Sequence, residues 1–168
     1  MKRVAVIALV SYVAFALEFV LYNFWGPWGR WFKPELLILV VIFFNLYLGI
    51  RFSIIAALFC GFFKDSSGVA PFGTYILVYI SAAYMTTLVR RYLYQPGSRF
   101  SRAVVTFLVT FGCVLVQAVL SNMNHELRLG ELFVYLLLPQ LLTTMVAATY
   151  VFSQLRNFSV FLKIKNAP

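Results

Sequence analysis

The chain alternates long apolar stretches with short polar ones. Val4–Phe24, Leu36–Ile50, Phe52–Phe63, Phe72–Val89, Ala103–Ser121 and Leu132–Ser153 carry a single charged residue between them, Glu18. A helix needs about 20 apolar residues to cross a hydrocarbon core about 30 Å thick. Six such helices would occupy about 120 positions of a chain of 168, so only short loops are left over. The pattern therefore predicts an all-α, polytopic membrane protein: a six-helix transmembrane bundle forming a single integral membrane domain over 1–168. The spans are expected at about 4–24, 35–50, 52–66, 72–89, 103–121 and 132–153, followed by a basic interfacial tail over 154–168.

The second and third runs are nearly continuous, interrupted only at Gly49-Ile50-Arg51. One helix through both would be about 42 Å long and would bury Arg51 near mid-membrane, at a cost of about 2.5–3.5 kcal/mol. Two helices would be short, about 24 Å and 18 Å, and would reach across by drawing in Pro34-Glu35 and Lys64–Ser67, or by tilting or re-entering. Two segments with a tight turn at Arg51 are expected.

Composition agrees with a membrane location. Hydrophobic residues make up 62% of the chain and charged residues 11%, too little polar surface for a soluble domain and too much apolar material for a disordered one. The formal net charge of +9 then reports topology, and nucleic acid is not an expected partner. With six spans and the N-terminus inside, the cytoplasmic side holds Lys2, Arg3, Arg51, Arg90, Arg91, Arg99, Arg102, Arg156, Lys163 and Lys165 and no acid. The other side balances Arg30, Lys33, Lys64 and Arg128 against Glu35, Asp65, Glu126 and Glu131. Five spans with the N-terminus outside would also satisfy the positive-inside rule; the cost of burying Arg51 favours six, with both termini cytoplasmic. Lys2-Arg3 before an apolar run looks like a signal peptide, but the run is long, contains Glu18 and lacks a small-residue cleavage site, so it reads as an uncleaved first span. Cys60 and Cys113 lie within apolar runs and are expected to be unbridged.

Candidate chemistry is sparse. Trp25, Trp28, Trp31 and Phe32 form an aromatic belt suited to an outer membrane boundary or to docking a partner. Glu18 must face the bundle interior, a partner or water. Between Gly61 and Gly73, three glycines, Pro71, Asp65, Ser66 and Ser67 read as a sharp outer turn. There the carboxylate and hydroxyls would satisfy helix-end amides, and Pro71 would open the next helix. One carboxylate with two hydroxyls is a thin ligand set for an ion. Arg90, Arg91, Arg99 and Arg102, around Pro96-Gly97, form a basic cytoplasmic platform for anionic lipid or for a protein. In the tail, Leu155, Phe158, Phe161 and Leu162 sit at helical spacing beside basic residues. Asn45, Ser81, Gln117 and Gln140 are expected to hydrogen-bond between helices, and Ala57–Gly61 and Ala82–Thr86 to allow close helix approach. His125 stands alone in an outer loop. No catalytic triad, paired carboxylates, phosphate loop or metal-binding helix is present in the sequence, so no catalytic residue, metal or cofactor is expected and binding is the remaining role.

Two segments carry a family resemblance. Phe32-Lys33-Pro34-Glu35-Leu36-Leu37-Ile38-Leu39 resembles the F-x-P-[D/N]-L-L-L-L pattern of the rod-shape-determining MreD family, with Glu35 in the place of the usual Asp or Asn. Gly61–Gly73 resembles that family's G-x-x-x-D…G…G turn through Gly61, Asp65, Gly68 and Gly73, with Gly68 one place early. The resemblance implies a non-enzymatic inner-membrane scaffold of the bacterial elongation complex. It would bind MreC and help couple the MreB cytoskeleton to the RodA-type glycosyltransferase and the transpeptidase of side-wall peptidoglycan synthesis. The outer belt at Trp31–Glu35, with Phe32, Pro34 and Glu35, and the Asp65 turn would shape the outer end of the MreC contact. The family's six-helix arrangement is also similar to the S components of energy-coupling-factor transporters. That similarity implies the alternative of a vitamin-binding subunit, with Glu18, Asn45 and Gln117 as the intramembrane polar groups available to a ligand.

Overall fold

The computed structural model describes residues 2–24, 34–68, 71–93, 99–122 and 138–161. Among these it is entirely helical: α1 (Lys2–Phe24), α2 (Leu36–Leu48), α3 (Ile50–Asp65), α4 (Thr74–Leu93), α5 (Arg99–Asn122) and α6 (Leu138–Phe161). Each helix falls on one of the six apolar runs. The tryptophan belt, Phe32, His125 and residues 162–168 lie outside the described residues. By length and composition, α1 over Arg3–Leu21 and α5 over Phe100–Gln117 are each apolar enough to cross a membrane, and α2 is a shorter apolar helix.

The long run from Leu36 to Phe63 divides in two, at Gly49 and not at Arg51. Gly49 has a φ of 88°, a region that glycine enters without the steric penalty of a Cβ. Its amide donates to the Asn45 carbonyl (3.1 Å) and its carbonyl accepts from Ser53 (3.2 Å), so one residue ends α2 and begins α3. Arg51 lies in the first turn of α3 and is exposed.

α2 is the centre of the bundle. Every residue from Leu36 to Leu46 is buried, as befits a helix that is apolar on all sides, and α2 packs against each of the other five. Around it, α1 lies on α3, α3 on α4, α4 on α5 and α5 on α6. The small residues work as expected: Ala57, Ala82, Ala83 and Thr86 are fully buried. A Cβ added at Gly61 would lie 2.5 Å from Ile76 Cα, so α3 and α4 touch backbone to backbone there. The outward faces are apolar, with Leu9, Val13, Leu17 and Val20 exposed on α1 and Leu142, Val146 and Tyr150 on α6. α6 runs unbroken to Phe161, so the first part of the expected interfacial tail is the continuation of this helix.

Candidate functional site

Asp65, the last residue of α3, is 4% exposed. Its Oδ1 accepts from the Tyr75 amide (3.0 Å), and its Oδ2 from the amides of Gly73 (2.9 Å) and Ile76 (3.3 Å). The first four amides of a helix have no partner within it. In α4, Tyr75 and Ile76 donate to Asp65, Thr74 to the Pro71 carbonyl (3.2 Å) and Leu77 to the Gly73 carbonyl (3.1 Å). All four are satisfied, and the carboxylate sits on the positive end of the helix dipole. Gly68 and Gly73, with φ of 71° and 99°, let the chain turn tightly enough to bring α4 back onto this side chain.

Two details differ from expectation. The Ser66 and Ser67 hydroxyls donate to the carbonyls of Phe62 (2.7 Å) and Lys64 (2.6 Å), so they serve the end of α3 and not the amides of α4. Pro71 precedes the helix, which begins at Thr74; its carbonyl caps α4 from outside. Beside the turn, Phe62 and Phe72 are both exposed and meet edge to face, with ring centroids 6.2 Å apart.

Glu18 is not alone. It forms an ion pair with Lys64, and the Lys64 ammonium also lies 5.6 Å from the Tyr75 ring centroid. This pair ties α1 to α3. Glu35, which precedes α2, is 5% exposed. Its amide donates to Thr144 Oγ1 (3.2 Å), whose hydroxyl donates to the Gln140 carbonyl (2.6 Å). Gln117 donates to the Tyr75 hydroxyl (3.2 Å). Among the described residues, the Asp65 end of the bundle thus holds a polar layer drawn from five helices and from the residue that precedes α2: Glu18, Glu35, Lys64 with Asp65, Tyr75, Gln117, and Gln140 with Thr144. Lys64, Tyr75 and Thr144 are members that the sequence reading did not single out. The polar spacing Gln140, Thr143, Thr144 inside an apolar run was the available signal for the last of these.

The opposite end is tied more simply. Asn45 Nδ2 donates to the Ala83 carbonyl (2.8 Å) and to Thr87 Oγ1 (2.9 Å), joining α2 to α4. Arg90 donates to the Asn45 carbonyl (2.8 Å), placing a cation at the negative end of the α2 dipole. Of the expected basic platform, Arg90 is therefore engaged in capping, Arg91 is exposed, Arg99 begins α5 and Arg102 is half-buried. Arg102 borders a groove of about 340 Å³ between α5 and α6, lined also by Ala103, Thr106, Met145, Ala148 and Phe152. Among the described residues no three His, Cys, Asp or Glu side chains gather to hold a metal, and Cys60 and Cys113 are free and buried.

Among the described residues this arrangement defines an all-helical bundle with a polar layer inside and apolar faces outside. The family model described as rod shape-determining protein MreD matches residues 2–161. The chain therefore belongs to the MreD family, and is a rod-shape-determining membrane protein. Neither the curated proteins nor the solved structures contain a significant match to it.

Proposed function

We propose that the chain is a non-catalytic inner-membrane scaffold of the bacterial elongation complex that binds MreC. Through MreC it would help couple the MreB cytoskeleton to the RodA-type glycosyltransferase and the transpeptidase. On this reading all six helices span the membrane, residues 1–168 form one integral domain, both termini are cytoplasmic, and the Asp65 end faces outward. At the other end Arg102 meets anionic lipid.

The observation that carries the proposal is the use made of the polar groups. Asp65, Glu18, Glu35, Asn45 and Gln117 each bond another part of the bundle, fixing it from within and leaving its outer faces apolar. Such a body presents a rigid surface to a partner helix. The exposed Phe62–Phe72 pair beside the Asp65 turn supplies the aromatic contact at the outer end of that surface. Pro34 and Glu35, both buried, hold the start of α2.

Co-purification tests the proposal. The chain and MreC, expressed together and extracted in mild detergent, should emerge as one complex, and F62A/F72A should weaken it while leaving the melting temperature of the chain within a few degrees. Separation of two well-expressed proteins would refute it. The vitamin-binding alternative requires a pocket open at the outer end, and a vitamin should then raise the melting temperature. The groove between α5 and α6 lies at the other end, which favours the scaffold.

A further inference from the structure

We propose that the groove between α5 and α6 is a binding site for one anionic phospholipid, whose phosphate is held by Arg102 and whose upper acyl chain lies along α6. The walls divide by chemistry. Arg102 lines the groove three residues into α5; Ala103, Met145, Ala148 and Phe152 make most of its wall apolar, and Thr106, Thr149 and Ser153 add hydroxyls. Along α6 the lining runs from Met145 to Ser153, about 12 Å, which is most of one leaflet of a hydrocarbon core about 30 Å thick. Ala103 and Ala148 keep the space open, since a larger side chain at either place would occupy it.

Charge selects the occupant. Among the described residues the acids are Glu18, Glu35 and Asp65, and all three belong to the polar layer at the other end of the bundle. Nothing described near Arg102 neutralises it, whereas Arg90 is taken up by the Asn45 carbonyl. A guanidinium with no acid beside it among the described residues, set against a mostly apolar groove at the end of a helical bundle, matches a lipid phosphate joined to its chain. The choice of leaflet rests on the topology proposed above; the groove itself does not.

The full chain in mild detergent, offered phosphatidylglycerol or phosphatidylethanolamine with identical acyl chains, is examined by native mass spectrometry. One phosphatidylglycerol per chain should be retained about five-fold better than phosphatidylethanolamine, the equivalent of about 1 kcal/mol for one basic residue near the surface. R102Q should abolish that preference, and R91Q, outside the groove, should keep it. A148F, if it melts like the parent, should lose both lipids; if it unfolds, R102Q decides alone. Equal retention of the two lipids, or a preference unchanged in R102Q, overturns the proposal. Displacement by sn-glycerol 3-phosphate would assign Arg102 to a free anion, and a dimer lost in A148F would assign the groove to a second copy; either result overturns the lipid. The topology is read separately, by labelling Y92C in intact cells. Labelling from outside with the lipid preference intact would move the site to the other leaflet, and labelling from inside with the preference absent would remove the site alone.

Discussion

Replacing Asp65 should unseat the start of α4 in proportion to the acceptors removed. The carboxylate serves three amides, those of Gly73, Tyr75 and Ile76, and Asp65 itself is 4% exposed. A buried donor left without an acceptor costs about 1–3 kcal/mol. Asp65→Asn keeps one oxygen but turns an amide donor toward donors, so at least one amide loses its partner, at a cost of about 1–3 kcal/mol. Asp65→Ala strands all three. Fraying of the first turn lets some of them find water, which places the cost near the lower bound of about 3 kcal/mol. For a domain of this size that is a fall in melting temperature of roughly 6–12 °C, against roughly 2–12 °C for the asparagine. The assay is thermal unfolding of the purified chain in one detergent, followed by loss of helical circular dichroism. S66A/S67A is the control, because those hydroxyls donate from an exposed turn and should matter by no more than about 0.5 kcal/mol. The reasoning fails if Asp65→Ala melts with the parent, or if the serine pair costs as much as the aspartate.

Three further substitutions probe other parts of the bundle. Gly61→Ala places a methyl 2.5 Å from Ile76 Cα and should cost about 1–3 kcal/mol in the same melting assay. Because the clash is with backbone, Ile76→Ala should not rescue it, and rescue would show that the helices do not touch as described. Breaking the Glu18–Lys64 pair from one side, with E18L or K64M, should destabilise more than the double substitution E18L/K64M. Additive losses in that cycle would mean that the two side chains do not interact. Asn45→Ala removes bonds to Ala83 and Thr87 and should cost about 0.6–1.7 kcal/mol, while Thr87→Ala in the N45A background should cost almost nothing more. A full second loss would separate the two residues.

What could be read from the residue order follows from how apolar surroundings act. The six described helices were legible because apolar runs bounded by charges leave few alternatives, and the Asp65 cap was legible because its turn is local. The place of α2 was not. A helix buried in a bundle and one facing lipid are both apolar on every side, so hydropathy alone does not distinguish the centre from the rim. The partners of Glu18 and Glu35 were hidden for another reason: Lys64 lies 46 residues from the first and Thr144 lies 109 from the second. A polar residue in an apolar run announces that it needs a partner inside, but any compatible group on another helix will serve. Arg90 shows the reverse error. It reads as one of a cluster of surface charges, yet its guanidinium is held by a backbone carbonyl at the end of α2.

The same physics decides where function can show on the surface of such a protein. Lipid and a partner helix offer the outer faces almost the same chemistry, so an exposed Leu or Val on α1 or α6 discriminates between them very little. Discrimination requires a group that lipid chains cannot satisfy or a shape they cannot fill. Two places among the described residues meet that condition. One is the exposed Phe62–Phe72 pair beside a turn that Asp65 holds rigid, where aromatic edges want a matched surface. The other is the groove bordered by Arg102, where a cation wants an anion at a fixed depth. On the proposed reading, a rigid interior with two such marks, one at each end of the bundle, would hold MreC at the Asp65 end and a lipid at the other without moving. F62A/F72A and R102Q should therefore act independently: the first should loosen MreC without changing lipid preference, and the second should change lipid preference without loosening MreC. Loss of both properties from either variant would mean that the bundle transmits between its ends, and that the polar layer is a coupling element and not only a brace.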